Sequence, residues 1–416
     1  MQLVAYGAQD VFLTGNPKVT FFQAVYKRHT NFALENIQQT VNGSAASSSR
    51  LSVTIARNGD LIGEMYMKLY LSRGIETDGK QGCWVAERAI SDIELSVGGQ
   101  RIDKHYQRWW RLYSELYLDE AKKINYGKLA TAATGSKDSA VYLPLLFFFN
   151  RNAGLYLPLI ALQYHEVRLD FDLSAEYSDC FKPSPEVWGQ YVYLDTEERK
   201  RFAQKGHEYL IEQVQHTGTD SMQQQIRLSY NHPVKELVWC ITPSSASSNA
   251  ALWNFTGYQS NVFLESNVMV AALSGGDSNV YGPISYMTGS PFLKTNPNGS
   301  LSFSEEAIGP LGSTGTSFKL VLNGQDRFKE QDGKFFNQMQ PMWHHTGNPY
   351  PGVYCYSFAL KPEEHQPTGT CNFSRIDNAQ VQYVGSSIPS GVQDMYAVNY
   401  NIFRINAGMG GVAFSN

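Results

Sequence analysis

The sequence predicts an all-β fold made of two similar halves. Three observations carry this prediction: many aromatic residues, many short runs in which apolar and polar residues alternate, and a weak internal repeat. The chain has 416 residues, of which 42% are hydrophobic and 17% charged, and it holds 25 Tyr and 22 Phe. Aromatic side chains favour the pleated, half-buried surface of a sheet, and this length accommodates two domains.

Short alternating runs recur along the chain. In Val167–Leu173 the Leu and Phe side chains would face a core while Arg168, Asp170 and Asp172 face water, the pattern of a strand with one wet face. Clusters of Gly, Asn, Pro or Ser separate many of these runs and predict turns. The other predicted strands are Leu51–Ile55, Met65–Leu71, Ile93–Val97, Val187–Leu194, Ile226–Tyr230, Phe318–Leu322, Val353–Leu360 and Asn399–Ile405.

Two segments predict helices instead. Across Asp103–Lys123, aromatic residues and Leu116 recur at helical spacing, which indicates an aromatic helix face packed on a sheet. Asp195 precedes the second segment, Thr196–Gln204, and Glu198 lies three residues further on, which is an acidic variant of the capping box. Because this second helix lies near the middle of the chain, it predicts a domain boundary.

The two halves echo each other on either side of that helix. Ile93–Arg101 and Leu320–Arg327 each contain an alternating run, then a Gly-Gln pair, then an Arg, and farther on Leu162–Leu169 falls opposite Ser374–Val381. Two matches in the same order indicate a duplication. Each half then has about 200 residues with many short strands, which fits an eight-stranded jelly roll. We therefore predict two consecutive jelly rolls, with a few short helices in the loops and the linker.

Residues 31–205 form the predicted first jelly roll and residues 206–416 the second. The second contains a long stretch, about residues 243–316, that is rich in Ser, Gly and Asn. Loops of this length inside a compact domain usually have a function or are mobile. We predict that they are elaborated surface loops.

Composition argues against several classes of protein. The net charge is −4, and the densest basic run, Arg199 to Arg201, directly follows Glu197 and Glu198, so we expect no direct contact with nucleic acid. The five cysteines are scattered without a C-x-x-C pair, which favours reduced thiols over a disulfide framework. We expect no signal peptide, because Met1–Phe12 lacks a basic start followed by an apolar run, and no membrane-spanning segment, because no apolar stretch approaches about 18 residues.

No arrangement of residues predicts catalysis or metal binding. His165 and Glu166 are not followed by the second His of a zinc motif, and the nine histidines lack the H-x-H spacing of a metal-binding jelly roll. The neighbours His344 and His345 would point in different directions. Phosphate-loop and nucleophile-elbow motifs are also absent from the sequence. We therefore predict no enzyme activity, no cofactor, and no catalytic or metal site.

Blocks from end to end of the chain resemble one viral protein family. The opening stretch Tyr6–Phe22, continuing to Tyr26–Phe32, is similar to the start of the major capsid proteins of nucleocytoplasmic large DNA viruses, above all those of algal viruses (chloroviruses and phycodnaviruses). The further similar blocks are Gly98–His105, Leu157–Val167, Leu194–Arg199, Asn323–Phe328, Gly369–Asn378 and Gly408–Gly411.

The resemblance implies a structural protein of the virion. Three copies, each with two jelly rolls, would form a trimeric, pseudo-hexagonal capsomer that tiles the icosahedral shell of a double-stranded DNA virus together with neighbouring capsomers. An N-terminal arm, residues 1–30, would lie at the capsomer base and meet minor capsid proteins or the inner membrane. The variable loops of the second jelly roll would form the outer tower, and assembly would take place in the host cytoplasm.

Glycosylation and two alternative functions stay open. Capsid proteins of the chlorella-infecting relatives carry glycans, so Asn298 and Asn254, which lie in N-x-[ST] sequons, are candidate glycosylation sites. The first alternative is a minor or vertex-associated capsomer paralogue. The second is a carbohydrate-binding β-sandwich on the virion surface, for which Trp253 and Tyr258 would supply exposed aromatic rings.

Overall fold

The structure of the chain is a computed structural model that describes eleven stretches of the sequence. They are residues 30–72, 84–131, 138–219, 221, 223–243, 255, 293–295, 301–303, 317–349, 352–384 and 391–414. Residues 1–29 of the predicted N-terminal arm and most of the predicted long loops at 243–316 lie outside these ranges.

The first half of the chain forms two antiparallel sheets. Their strands are β1 Phe32–Gln39, β2 Val41–Asn42, β3 Arg50–Thr54, β4 Leu61–Tyr70, β5 Ile90–Val97, β6 Gln100–Tyr106, β7 Ala140–Pro144, β8 Leu157–Pro158, β9 Val167–Leu173 and β10 Glu186–Leu194. One sheet has the order β1-β10-β4-β7, with β8 also paired to β4, and the other has the order β2-β3-β9-β5-β6. Their buried side chains share one core.

The second half forms a similar pair of sheets. Its strands are β11 His207–Thr219, β12 Gln225–Leu228, β13 Pro233–Pro243, β14 Leu293–Thr295, β15 Leu301–Phe303, β16 Ser317–Leu322, β17 Gln325–Asp326, β18 Gln331–Asp332, β19 Val353–Ser357, β20 Cys371–Asn372, β21 Ala379–Val384, β22 Gly391–Asn406 and β23 Met409–Val412. The main sheets have the orders β11-β22-β13-β19 and β12-β21-β16-β17. The short strands β18, β20 and β23 extend them, and β14 pairs with β15.

Both halves have the connectivity of a jelly roll. When the eight main strands of each half are counted in chain order, one sheet joins strands 1-8-3-6 and the other joins strands 2-7-4-5. Antiparallel strands in this order make the two Greek keys of that fold. The predicted fold class is therefore confirmed.

The internal repeat seen in the sequence corresponds to equivalent structural elements. The first echo is the hairpin between strands 4 and 5 of each half, where Gly98, Gly99, Asn323 and Gly324 have φ values of +58°, +81°, +52° and +77°. Positive φ at both central positions is the geometry of a two-residue type I′ turn, which Gly and Asn adopt readily. The second echo leads into strand 7 of each half, β9 and β21.

Six α-helices lie outside the sheets. They are α1 Gln107–Leu116, α2 Glu120–Ala130, α3 Phe148–Arg151, α4 Tyr177–Cys180, α5 Thr196–Gln204 and α6 Gln340–His344 among the described residues, and short 3₁₀ or π turns occupy Val85–Ala89, Ala153–Leu155, Phe335–Met339 and Phe373–Arg375. The prediction for α5 is confirmed, and the Asp195 side chain accepts a hydrogen bond from the Glu198 amide at 2.9 Å. The single helix predicted across Asp103–Lys123 is wrong. Its first residues complete β6, and the Asp119 side chain caps a new helix at the Lys122 amide.

Strand β9 has the predicted bounds, but the side predicted to face solvent is only partly exposed. Arg168 is exposed, whereas Asp170 is buried. The Arg168 Nε atom donates to Asp170 at 2.8 Å, and Arg50 of the neighbouring strand lies 3.9 Å from the same carboxylate. A buried carboxylate that is paired in this way avoids most of its desolvation penalty.

The sheet β11-β22-β13-β19 is buried on both faces. Leu237, Trp239 and Met395 point into the core of the second jelly roll. Val238 and Tyr396, which point the other way, belong to the same apolar cluster as the core of the first jelly roll. The two jelly rolls are therefore packed against each other through a continuous apolar contact.

Candidate functional site

Helix α1 of the first jelly roll covers the outer face of the sheet β11-β22-β13-β19; we call this outer face the junction face. The Trp109 ring lies 5.4 Å from the Tyr396 ring, centroid to centroid, and both residues are about 1% exposed. Arg108 forms an ion pair with Asp394 of β22. On its opposite side α1 faces its own sheet, where Trp110 Nε1 donates to the Pro144 carbonyl at 2.9 Å. Burial of aromatic surface on both sides holds α1 between the two halves.

A buried ionic network crosses the junction. Glu212 of β11 accepts a hydrogen bond from Lys235 Nζ at 2.7 Å and lies 3.1 Å from Arg151 of the first jelly roll. Burial would raise the pKa of Glu212, but the two cations hold that pKa below its ordinary value. Lys235 is fully buried. Removing one partner of such a group leaves an uncompensated charge in the interior.

His345 forms a second polar anchor at the junction. Its ring lies 3.0 Å from the Glu236 carboxylate and 3.4 Å from that of Glu363, and the Tyr117 ring of the first half packs edge-on against it. Burial by itself lowers the pKa of His345, but the facing Glu236 carboxylate and hydrogen bonds raise it well above its ordinary value. The Gly347 amide donates to the Leu116 carbonyl at 3.2 Å and ties the same loop to the end of α1.

The corresponding outer face of the first jelly roll, on the sheet β1-β10-β4-β7, is half-exposed and aromatic; we call it the open face. It is defined by Tyr66, Lys68, Tyr70, Tyr142, Glu186 and Trp188. Glu186 organises it: Trp188 Nε1 donates to its carboxylate at 2.8 Å, the Tyr70 hydroxyl donates at 3.1 Å, and Lys68 Nζ lies at 3.6 Å. The hydrogen bond from Trp188 is the main cause of a lowered pKa of Glu186.

Strand β1 extends the open face to the edge of its sheet. Phe32 and Leu34 are 55% and 51% exposed. In the register with β10 they lie on the same side as Gln38, which is opposite Trp188. Within the described ranges β1 pairs only with β10. Sheet edges that carry exposed apolar residues are prone to contact other chains.

A second apolar surface lies on the second jelly roll; we call it the ridge, and it consists of Met339, Met342, Trp343 and Leu360. These side chains are 38%, 67%, 55% and 73% exposed. The His344 ring bonds the Leu360 carbonyl at 2.9 Å and joins the loop to α6. Clustered large apolar side chains on a surface typically mark a protein contact.

A polar cleft of about 470 Å³ separates β6 of the first jelly roll from β11 of the second. Its lining includes Arg101, Tyr106, His216 and His232. His216 is paired with Asp394 at 2.8 Å, and the same carboxylate also forms an ion pair with Arg108. Among the residues that the structure describes, no group of three or more His, Cys, Asp or Glu side chains is arranged to hold a metal ion.

The candidate glycosylation sites Asn254 and Asn298 lie outside the described residues, as do Trp253 and Tyr258. Among the described cysteines, Cys240, Cys355 and Cys371 are free thiols. No helix in the described part of the chain has both the length and the apolar character needed to span a bilayer.

Sequence reasoning missed the junction residues Lys235, Glu212 and His345. They are far apart in the chain, and each looks like an ordinary surface residue when only its neighbours in sequence are considered. One available signal was the uninterrupted apolar run Met395–Val398 in β22, because such a run is typical of a strand buried on both faces.

Both halves of the chain match families of viral major capsid proteins. Residues 20–195 match the family described as major capsid protein N-terminus, and residues 198–411 match the family described as large eukaryotic DNA virus major capsid protein. The chain is 41% identical to the major capsid protein of Paramecium bursaria Chlorella virus 1 and 37% identical to that of Phaeocystis pouchetii virus. Both alignments cover 100% of this chain and 99% of the relative.

Solved structures agree with the sequence relatives. A quasi-atomic model of the PBCV-1 virus capsid superimposes with a TM-score of 0.75 at 36% identity, covering 95% of this chain and 100% of that one. The Faustovirus major capsid protein gives a TM-score of 0.68 at 11% identity, covering 94% of this chain and 93% of that one, and so shows the fold alone. The two family matches meet between residues 195 and 198, where α5 begins.

Proposed function

Because this chain belongs to the family of large eukaryotic DNA virus major capsid proteins, we propose that three copies of it form the capsomer of an icosahedral virion shell. As a member of that family it is a structural component of the virion. Three chains with two jelly rolls each supply six similar barrels, so a trimer has a near-hexagonal outline. Contacts between unlike surfaces close into a ring when each copy is rotated by about 120° from the last.

The observation that carries this proposal is that the two jelly rolls have the same strand order and are packed directly on each other. Their junction buries aromatic and aliphatic side chains such as Trp109 and Val238, so it holds the two barrels as one building block. Among the described residues, the open face and the ridge are two exposed surfaces with apolar side chains that are available for further association. Obligate interfaces between subunits typically bury more than about 2,000 Å² and are more apolar than transient ones.

The remaining parts of the proposal concern two regions that lie mostly outside the described residues, the site of assembly and the domain boundary. Residues 1–30 would form the arm at the capsomer base that meets minor capsid proteins or the inner membrane. Residues 243–316 would contribute the outer tower, in which Asn254 and Asn298 are the proposed glycan acceptors. We place assembly in the host cytoplasm, and we place the domain boundary between 205 and 206. Glycopeptide mapping of purified virions tests the two Asn residues directly.

The mass of the purified protein in solution tests the capsomer proposal. The chain has a mass of 46.6 kDa, so a trimer has three times that mass, or about 140 kDa. Light scattering on a sizing column is expected to give the trimer mass, and this mass should persist on dilution. A monomer at every concentration would contradict self-association by this chain alone. Copy number per virion then separates a major capsomer from a minor or vertex-associated paralogue.

A further inference from the structure

The polar cleft between the two halves has the edges of two sheets as its walls. Among the described strands, β6 pairs only with β5 and β11 only with β22, so each presents an unpaired edge. Side chains bridge the two edges: the Val214 amide donates to Asp103 at 3.0 Å, and the Gln213 side chain donates to the Ile102 carbonyl. The edges therefore do not merge into one sheet, and a cavity of about 470 Å³ remains, which is the size of a small-molecule site.

His232 is a strained residue in the wall of this cleft. It ends the turn between β12 and β13 with a φ of +66°, a left-handed conformation that is uncommon for residues other than Gly. The residue is only 9% exposed, and its Nε2 atom has no hydrogen-bond partner among the described residues. A buried polar atom without a partner costs free energy, and backbone strain of this kind concentrates where ligands are held.

The turn that carries His232 is fixed from two sides. Gln215 of β11 holds it with both ends of its amide: Nε2 donates to the Asn231 carbonyl at 2.7 Å, and Oε1 accepts from the Asn231 amide at 3.0 Å. The His232 amide donates to Ser374 Oγ at 2.7 Å, and its carbonyl accepts from the Phe373 amide at 3.1 Å. These bonds fix the imidazole before any ligand arrives, so little conformational freedom is lost on binding.

Arg101 supplies the charge of the cleft that the chain leaves uncompensated. It is exposed, and its guanidinium pairs with no carboxylate in the described part of the chain. The other charged residues of the lining are already bonded: Lys104 lies 3.1 Å from Asp92, His216 lies 2.8 Å from Asp394, and Asp103 accepts from the Val214 amide. A free guanidinium favours a phosphate or a carboxylate, because its planar fork matches their oxygen atoms.

We propose that this cleft binds a small organic anion of roughly metabolite size, whose phosphate or carboxylate group contacts Arg101 and His232. Arg101 lies on β6 of the first jelly roll and His232 precedes β13 of the second, so the ligand contacts both halves of one chain. Such a ligand stabilises the folded chain in proportion to its concentration. The site lies within a single chain and does not depend on the proposed function.

Isothermal titration calorimetry of the purified protein tests for binding. Glucose 6-phosphate and citrate are the probes for the phosphate and the carboxylate, and potassium chloride at matched ionic strength corrects for screening. We expect at least one of them to bind with a dissociation constant below about 1 mM. Glucose, which lacks the charge, should not bind. Equal binding of glucose and glucose 6-phosphate, or no binding of either anion, overturns the proposal.

The substitution Arg101→Gln tests the charged contact. It should weaken binding of the anion by at least about tenfold, because a hydrogen bond to a charged group is lost. Arg227→Gln is the matched control, since Arg227 is an exposed arginine on β12 that does not line the cleft. The control should bind as the wild type does. An equal loss in both variants would mean that the anion responds only to overall charge, which overturns the site.

The substitution His232→Asn tests the imidazole without disturbing the turn. Asn adopts the left-handed conformation readily and keeps the backbone bonds to Ser374 and Phe373. We expect an unchanged urea midpoint in the absence of anion and at least about a tenfold loss of affinity. Wild-type affinity in this variant overturns the role of His232.

Stoichiometry separates this proposal from the proposed function. One anion per chain is expected whether the protein is a trimer or a monomer in solution. A monomer that binds one anion contradicts the capsomer proposal and supports the cleft, whereas a trimer that binds no anion does the reverse. One anion per three chains would place the site on the threefold axis and overturn the assignment to the cleft.

Discussion

The junction face and the open face are the same surface of the same fold, but they have different surroundings and different compositions. The junction face is permanently covered by α1, and it carries compact side chains such as Val238, Cys240 and Cys355, each at most 1% exposed. The open face carries Tyr and Trp rings whose polar ends bond to Glu186. Amphipathic aromatic side chains suit a surface that is wet at one stage and buried at another. The difference teaches that a face covered within the chain can hold closely packed apolar side chains and a paired charge such as Asp394 with Arg108, whereas a face left open in the chain carries aromatic rings whose polar ends suit contact with water.

The largest expected effect comes from removing the cover of the junction face. Trp109→Ala should lower the free energy of unfolding by about 4 kcal/mol, the usual loss for a buried Trp. Trp343→Ala, in the helical segment Phe335–His344, should instead change the unfolding midpoint by an amount that depends on protein concentration, because Trp343 is exposed in the single chain. Urea unfolding at several protein concentrations distinguishes the two. Equal, concentration-independent shifts would abolish the distinction between the faces.

The second effect concerns the charges under the junction. Glu212→Gln should cost about 3 kcal/mol, because Lys235 and Arg151 lose the carboxylate that compensates them. Glu208→Gln on the same strand is the control: Glu208 pairs with Arg404 at the surface and its side chain is 66% exposed, so the expected change is below about 1 kcal/mol. Chemical denaturation at neutral pH gives both values. A large effect of the control substitution would contradict the special role of the junction.

The third effect depends on pH. The folded protein raises the pKa of His345 above its ordinary value, so protonation of His345 stabilises the folded state. This contribution is complete below about pH 6.5, the ordinary value of His, and is lost as pH rises through the raised value. His345→Gln should therefore cost about 2 kcal/mol near pH 6 and less near pH 9.

The control for this pH dependence is the neighbouring residue. His344 is only partly buried and bonds one backbone carbonyl, so His344→Gln should show no such trend. Urea unfolding of both variants and the wild type at a series of pH values makes the measurement. A constant difference between wild type and His345→Gln across that series would show that the imidazole acts by packing alone.

The smallest expected effect lies in the linker between the two jelly rolls. Asp195→Ala removes the cap of α5 and should lower the free energy of unfolding by about 1 kcal/mol. Asp195→Asn, which keeps an acceptor oxygen for the Glu198 amide, should retain most of it. Thermal unfolding of the two variants compares them, and equal losses would argue that the charge rather than the hydrogen bond matters.

Local signals in the sequence predicted much of the fold. Strand β9 was predictable because alternation over seven residues indicates a strand, although Asp170 on its polar side is buried, and α5 was predictable because Asp195 supplies a recognisable cap. The Gly-Gln hairpins were visible because a tight turn restricts its residue types. The internal repeat then predicted two jelly rolls, and the blocks that resemble the capsid family pointed to the same fold.

The candidate site was far less predictable, because it depends on contacts between the halves. Nothing near Lys235 in the sequence indicates that it will meet Glu212 and Arg151 in a buried network. Likewise, the exposure of Trp343 and the burial of Trp109 follow from which face has a neighbour, since both are aromatic residues on helices at the same topological position. The start of α1 was mispredicted for a related reason: β6 needs residues 103–106 for its pairing with β5.

Strand β22 has a consequence for the order in which the protein folds during synthesis. It is the last main strand to be made, yet it lies in the interior of its sheet, between β11 and β13. Until residue 406 has emerged from the ribosome, β11 and β13 lack the strand that pairs with both of them. Trp109 of α1 also lacks its contact with Tyr396 of β22 until then. The first jelly roll, by contrast, has all its strands by residue 194. Domains generally fold in the order in which they are synthesised, so we expect the first jelly roll to fold before the second has its last main strand.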